Sequence, residues 1–130
     1  MTDTVKRYFD AFNAGDTAGM LDCLSNDVAH HVNEGKIRSG KEAFSKFCDH
    51  MTRCYRENLT DMVIFTNEDG TRAAAEYTVN GTYLATDEGL PEAKGQTYKL
   101  PAGSFFTLEG GKITRVVTYY NLADWAQQVS

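Results

Sequence analysis

The feature that most constrains the fold is a change in the spacing of apolar residues near the middle of the chain. Before residue 56 they recur every three or four positions, as on one face of an α-helix. From residue 62 onward they alternate with polar residues, as on a half-buried β-strand. Helices followed by a run of strands are typical of an α+β fold. With 130 residues, we expect a single domain, 1–130.

The first half predicts three helices and one strand. Residues 4–13 form the first helix, Asp16 is a candidate N-cap for a second helix that extends to Leu24, and residues 28–33 form a strand. Ser39 and Glu42 fit a capping box at the start of the third helix. The apolar face of that helix comprises Phe44, Phe47, Cys48, Met51 and Tyr55.

The second half predicts four strands and a short C-terminal helix. The strands cover residues 62–66, 72–84, 96–108 and 113–120, and the helix covers residues 122–129. The order is therefore α-α-β-α-β-β-β-β with a helical tail. We expect a curved antiparallel or mixed sheet wrapped around three helices in a cone. The segment 85–95 is too long for a tight hairpin and is either a solvated loop or a flap over the mouth of the cone.

The strand 72–84 predicts a cavity inside the cone. Its alternation places Ala73, Ala75, Tyr77 and Val79 on the inner face, and the two small alanines leave volume unfilled on a curved surface. Such a cavity suits a small hydrophobic molecule. Its expected lining is Tyr8, Phe44, Phe47, Tyr55, Ala73, Ala75, Tyr77, Phe106 and Tyr120.

Composition excludes several classes of partner. The 13 Lys and Arg against 18 Asp and Glu give a net charge of −5, which argues against nucleic acid and anionic membranes. The three cysteines form no Cys-x-x-Cys pair, so free thiols in a reducing, cytoplasmic setting are expected. We expect no cofactor and no metal. His30 and His31 are adjacent on a strand and point to opposite faces, and His50 is expected to lack a partner at helical spacing.

Several segments resemble two related families. Residues 7–9 (RYF), 13–16 (NAGD), 25–28 (SNDV) and 38–44 (RSGKEAF) resemble the first half of ketosteroid isomerases. The end of the chain is similar to SnoaL-like polyketide cyclases, through residues 111–113 (GKI), 116–120 (VVTYY) and 124–129 (DWAQQV). Both families belong to the nuclear-transport-factor-2-like superfamily. The resemblance implies the α+β cone over the whole chain, whereas the activity varies between members of this superfamily.

The resemblance also implies candidate catalytic residues. The position of the isomerase tyrosine, which donates a hydrogen bond to the enolate oxygen, corresponds to Tyr8, and that of the second donor lies near Ser104. The position of the isomerase base is Val32 when the segments are aligned forward from Asp27, and His31 when they are aligned back from Gly40. Neither residue is a carboxylate. From the strand register alone, His30 is favoured as the inward-facing base.

In the cyclases an aspartate ends the last strand, and the corresponding residue of this chain is Asn121. Its side chain has no titratable proton, so Asn121 is a candidate for ligand binding only. Because both familiar bases are absent, we expect a poor ketosteroid isomerase. The leading hypothesis is proton transfer, of isomerase or cyclase type, on a small hydrophobic metabolite. The alternative is a non-catalytic ligand-binding domain. A homodimer through the outer face of the sheet is also expected.

Overall fold

The computed structural model describes residues 2–130, which form four helices and six strands. The helices are α1 (Thr2–Asn13), α2 (Thr17–Asp22), α3 (Lys41–Cys54) and α4 (Leu122–Val129); the strands are β1 (Leu24–Val32), β2 (Arg38–Ser39), β3 (Tyr55–Thr66), β4 (Arg72–Tyr83), β5 (Thr97–Glu109) and β6 (Lys112–Tyr120). Among these residues no helix has the length and hydropathy that crossing a membrane requires. The α+β class and the order of the long elements are as the sequence predicts.

The strands form one mixed sheet in the order β2-β1-β6-β5-β4-β3. All neighbours are antiparallel except β1 and β6, which run parallel. The register shifts within β3 between Thr60 and Val63, where Asp61 adopts a positive φ of 55°. Such bulges bend a strand and increase its twist. The sheet therefore curves without closing, and the concave face holds the core of the cone.

The starts of the two internal helices have different causes. Asp16 caps α2 as predicted, since its carboxylate accepts a hydrogen bond from Gly19 N at 2.9 Å. The predicted capping box of Ser39 and Glu42 is wrong. The N-cap of α3 is Gly40 at φ 92°, and Ser39 lies in β2 opposite Ala29. A positive φ favours glycine, so backbone geometry rather than a serine side chain starts this helix.

Strand boundaries also differ from the sequence prediction. Leu24 opens β1 instead of ending α2, and Tyr55 opens β3 instead of ending α3. The Cys54 carbonyl accepts hydrogen bonds from Leu84 N at 2.7 Å and Ala85 N at 3.3 Å, which draws the chain out of the helix and into the sheet. The sequence of the early part of β3 shows no clear alternation of apolar and polar residues, because its inward positions include both kinds.

A side-chain clamp holds this early part of β3 against α1. The Asn13 carboxamide donates to Leu59 O at 3.0 Å and accepts from Leu59 N at 2.8 Å. Both backbone groups of Leu59 are thus satisfied by the end of a helix rather than by another strand. The clamp fixes which residues of β3 face the interior.

The two faces of the sheet differ in composition. Ala73, Ala75 and Tyr77 on β4 are buried against the helices, in the inward register that the sequence predicts. The outer face carries an apolar row that crosses four strands through consecutive register pairs. The row comprises Phe65, Ala74, Phe105 and Val117, and Phe65 and Phe105 are 57% and 45% exposed. Val117, on β6, is only 2% exposed, so the accessible part of the row lies over β3 to β5.

Candidate functional site

Tyr8 projects from α1 into an aromatic cluster inside the cone. Its ring lies 6.3 Å from that of Phe44 and 5.8 Å from that of Phe106, measured between centroids. Burial raises the pKa of its phenol well above the usual value, so the hydroxyl stays protonated. Tyr8 as a whole is only 7% exposed. It is therefore a largely buried phenol that keeps its proton inside the cone.

His30 occupies the inner side of β1. Its side chain is buried between the rings of Phe44, at 4.9 Å, and Phe47, at 4.7 Å. Burial, helped by the positive charge of Arg38, lowers the pKa of His30 to about 4, so the imidazole is neutral at physiological pH. Within the described chain its Nδ1 atom is buried without a hydrogen-bond partner. A neutral ring with an unsatisfied nitrogen is a possible acceptor for a ligand proton.

The His31 side chain points to the opposite face of the sheet from His30. It is half-buried and lies in register with Val117, on the side of the sheet that bears the apolar row. The structure thus separates the two histidines that the sequence left as alternatives. Of the two, His30 is the one that reaches the core.

Ser104 belongs to a chain of three hydroxyl groups. Its Oγ lies 2.7 Å from the Tyr77 hydroxyl and 2.8 Å from the Thr118 hydroxyl. Burial raises the pKa of Tyr77, and the hydrogen bonds to Ser104 and Thr118 offset part of this rise. Three protons serve two internal hydrogen bonds, so one hydroxyl can still donate to another acceptor. Ser104 is therefore the middle member of a hydroxyl chain and not an isolated donor.

Sequence reasoning missed Glu57, the inward-facing carboxyl group of β3. Tyr98 donates to its Oε2 atom at 2.5 Å. Burial raises the pKa of Glu57 above its usual value, and the Tyr98 hydrogen bond opposes that rise. The predicted strand began at residue 62 and left Glu57 outside any element. Alternation continued back from Met62 and Ile64 would place Asn58 inward instead, because the bulge between Thr60 and Val63 shifts the register, so no local pattern in the sequence signals Glu57.

A glycine allows Glu57 and Tyr98 to meet. The two residues lie on β3 and β5, with Gly81 of β4 paired to both. A Cβ atom on Gly81 would clash with the outer atoms of the Tyr98 ring and with its hydroxyl oxygen. The tyrosine therefore crosses β4 in the space that the missing side chain leaves.

The far end of the cone is closed by aromatic packing and by the segment 84–96. Trp125 of α4 lies edge-on to Tyr83, at 5.0 Å, and to Tyr98, at 5.9 Å. The Tyr83 hydroxyl donates to Pro91 O at 2.6 Å and accepts from Asp87 N at 2.9 Å. These bonds give the segment a defined path over Tyr83, so it is an organised loop.

The same loop meets the end of α3 in a polar cluster. Asp87 accepts from Tyr55 at 2.6 Å and lies 2.9 Å from Nε2 of His50. The expectation that His50 lacks a partner at helical spacing is wrong, because Cys54 is four residues on. Ligand atoms of His50, Cys54 and Asp87 all lie within 4.8 Å of one another, a donor set that suits zinc. Arg53, 3.2 Å from His50 Nδ1, occupies the position where a ligating histidine needs an acceptor.

The remaining predicted residues divide between the interior and the rim. Phe106, Ala73 and Ala75 are buried in the core, and Tyr120 is half-buried. Asn121 is exposed and caps α4 by accepting from Asp124 N at 3.0 Å. An open surface groove of about 650 Å³ lies at this rim. It is lined by Asn33, Glu34, Pro101, Tyr119, Tyr120, Asn121 and Leu122.

The crossing at Gly81 generates a first prediction. Gly81→Ala should displace the Tyr98 ring, leave the Glu57 carboxyl unsatisfied and lower the free energy of unfolding by about 1–3 kcal/mol. Gly103→Ala is the matched control, because its nearest neighbour would be Ala75 O at an ordinary 3.6 Å. Denaturant unfolding measures both. Equal stability of the two variants would contradict the crossing.

His30 generates a second prediction, on pH. Burial lowers its native pKa from 6.5 to about 4, so between these values the unfolded chain binds the proton more tightly. The free energy of unfolding should therefore fall as the pH drops through this window. His30 should account for at most about 3 kcal/mol of that decrease. Urea unfolding at both ends of the window should show a clearly smaller pH dependence for His30→Leu than for His31→Leu, which removes only a minor cause of the His30 shift. The same dependence in both variants would refute the assignment.

Comparisons with known proteins agree on the family. The sequence profile of the SnoaL-like domain matches residues 5–116. A crystal structure named "putative polyketide cyclase" from Silicibacter sp. TM1040 is 76% identical with a TM-score of 0.97, covering 99% of this chain and 94% of that one. A Pseudomonas putida KT2440 structure of the same name is 57% identical, with a TM-score of 0.96 and coverages of 98% and 96%.

More distant structures share the fold alone. An NTF2-like protein from Burkholderia xenovorans LB400 is 16% identical, with a TM-score of 0.79 over 99% of this chain and 95% of that one. No match was found among curated proteins. The profile match over most of the chain, together with the near-identical fold of its relatives, shows that this chain belongs to the SnoaL-like domain family.

Proposed function

We propose that the chain binds a small hydrophobic carbonyl compound inside the cone and transfers a proton next to its carbonyl group. The observation that carries this proposal is the buried His30 Nδ1 atom, which has no hydrogen-bond partner among the described residues. The His30 ring and the buried Tyr8 ring both pack on Phe44 in an otherwise apolar region. An unsatisfied buried polar group costs about 1–3 kcal/mol, which a ligand group that donates to His30 would relieve.

The chemistry of the two groups is complementary. A neutral imidazole can accept a proton from the carbon beside a carbonyl group. The electrons of the broken C–H bond then move to the carbonyl oxygen, where the protonated Tyr8 phenol stabilises the developing negative charge. The low dielectric of the aromatic cluster strengthens that hydrogen bond.

The relatives named as polyketide cyclases support the same first step. Closure of a ring between two carbonyl groups begins with removal of a proton beside one of them, as an isomerisation does. The structure of the site favours no particular ring size. The alternative function is ligand binding without turnover, in which Tyr8 and His30 only orient the bound molecule.

A proton-exchange assay is the third prediction and needs no knowledge of the natural substrate. In deuterated water the protein should accelerate loss of the α-proton signal of a β,γ-unsaturated cyclohexenone, followed by proton NMR. Tyr8→Phe should lower the exchange rate about 10²-fold or more, because it removes the oxyanion donor. His30→Gln should lower it by about 10²–10⁴-fold, because it removes the base.

The controls use the corresponding residues on the other side of the sheet. Tyr119→Phe and His31→Gln change the same chemical groups outside the cone and should leave the exchange rate unaltered. Saturable binding of the cyclohexenone with no exchange above buffer would establish the non-catalytic alternative. Equal losses in inner and outer variants would refute the site.

We also propose that two copies pair through the outer face of the sheet. The apolar row Phe65, Ala74, Phe105 and Val117 is continuous and partly exposed, and the Phe105 ring packs against Tyr119 at 5.9 Å. In a twofold dimer each row would bury the other, and the curved sheet leaves room for the area of roughly 1,200–2,000 Å² that stable interfaces bury.

Charge placed in that row gives the fourth prediction. Phe105→Glu should convert the dimer to a monomer at micromolar concentration, because a carboxylate would be buried in the interface. Ile37→Glu is the control, since Ile37 is 58% exposed and lies on the β1–β2 connection outside the row. Sedimentation velocity distinguishes the two. A monomeric native protein would rule out the pairing.

A further inference from the structure

The polar cluster at the far end of the cone brings together three side chains of the kinds that bind zinc. His50 and Cys54 are four residues apart on α3, so both lie on one face of the helix. Asp87 belongs to the segment 84–96, whose path is fixed by hydrogen bonds to Tyr83. The ligand atoms of the three residues lie within 4.8 Å of one another. The cluster therefore joins the end of a helix to a loop from a distant part of the chain.

The distances within the cluster are close to those of a zinc site. Zinc bonds to nitrogen, oxygen and sulfur measure about 2.0–2.3 Å, so a tetrahedral ion holds its ligand atoms roughly 3.3–3.6 Å apart. The His50 Nε2 and Asp87 Oδ1 atoms are 2.9 Å apart, and no two ligand atoms of the cluster are farther apart than 4.8 Å. Small side-chain rotations are therefore enough to place the three ligand atoms around one ion.

Neighbouring groups hold the ligands in place. The Tyr55 hydroxyl donates to Oδ2 of Asp87 at 2.6 Å, and Oδ1 is the carboxylate oxygen that faces His50. The Cys54 carbonyl accepts a hydrogen bond from Leu84 N at 2.7 Å, which fixes the start of the loop beside the helix end. Hydrogen bonds that orient a ligating carboxylate are typical of metal sites.

The cluster lies at the boundary between the core and solvent. Cys54 is fully buried, whereas the side chains of His50 and Asp87 are 37% and 20% exposed. An ion can therefore reach the cluster from the solvent side and bind the thiolate on the protein side. Three protein ligands leave one position of a tetrahedron for a water molecule.

We propose that His50, Cys54 and Asp87 bind one zinc ion, which ties the segment 84–96 to the end of α3. The ligand atoms are Nε2 of His50, Sγ of Cys54 and Oδ1 of Asp87, and a water molecule is the fourth ligand. The Cys54 thiol releases its proton to solvent as the Zn–S bond forms, and no electron is transferred. Zinc binding at this cluster does not depend on the proton-transfer scheme.

Arg53 opposes an ion at this position. Its guanidinium group can only donate, so the His50 Nδ1 atom, 3.2 Å away, accepts the hydrogen bond and the proton of a neutral imidazole is on Nε2. A zinc ion at Nε2 requires that proton on Nδ1, and the Arg53 side chain must then turn away. Arg53 is exposed, which leaves it room to do so. Removal of the guanidinium group should therefore tighten zinc binding.

The fifth prediction is that the metal-free protein binds one equivalent of zinc. Isothermal titration calorimetry with zinc chloride should give a stoichiometry of one. Asp87→Asn and His50→Gln should each raise the Kd by about 10-fold or more, because each removes a ligand. Asp49→Asn and His31→Gln make the same chemical changes outside the cluster and should leave the Kd unaltered.

Cobalt(II) titration tests the thiolate ligand. Binding should produce the sulfur-to-cobalt charge-transfer absorption that only a thiolate ligand gives, and Cys54→Ser should abolish it. Cys48→Ser, which changes a second buried thiol on α3 outside the cluster, should retain it. Unfolding curves check that both variants are folded. Equal absorption in the two folded variants would overturn the site.

Arg53→Gln tests the ligating nitrogen. It should lower the Kd for zinc about 10-fold, because the Nδ1–H group no longer faces a guanidinium group. Arg56→Gln, at an exposed position of β3, removes the same charge and should leave the Kd unaltered. Equal Kd values for the two variants would overturn the assignment of Nε2.

The remaining outcomes also decide the proposal. Zinc should raise the Tm of the native protein and not that of Asp87→Asn, because only the native site ties the loop to the helix. An equal rise in both proteins would overturn this role. Absence of zinc binding by the native protein at millimolar zinc would overturn the site itself.

Discussion

The pairing of β4 with β5 is the constraint on which the rest of this structure depends. The two strands pair without interruption from Arg72 with Thr107 to Thr82 with Thr97. A slip of one residue would turn every inner side chain outward. In the observed register Tyr77 meets Ser104 inside the cone, and Gly81 lies beneath the Tyr98 ring. The hydroxyl chain and the Glu57 contact are both consequences of this one alignment.

The interior combines apolar packing with polar groups that folding alone does not require. Aromatic rings around Phe106 supply the burial that stabilises the cone. Against that background the buried Nδ1 atom of His30 is unsatisfied, and the Glu57 carboxyl is held at a raised pKa by burial. Groups of this kind are concentrated at functional sites, where burial tunes their proton affinity. The same burial raises the pKa of Glu57 and lowers that of His30, because in each case it favours the neutral form.

Sequence patterns predicted most of the fold but only part of the candidate site. Long alternating strands and amphipathic helices are local signals, so the inward register of Ala73, Ala75 and Tyr77 followed from the sequence. The capping box at Ser39 matched a motif, yet the positive φ of Gly40 decided the start of α3. Glu57 was missed because its strand is held partly by Asn13, a residue 44 positions earlier whose contact no local pattern reveals.

The sequence by itself determined the α+β class and the inward side of the long strands, because these follow from residue spacing. The family followed from the resemblance of several segments to SnoaL-like proteins, which the profile match confirms. Only the tertiary structure decided which polar groups meet. Tyr98 and Glu57 are separated by 41 residues and come together across a glycine of a third strand. Contacts of that kind depend on strand register and sheet curvature. Both are properties of the assembled sheet, and no segment of the chain carries them alone.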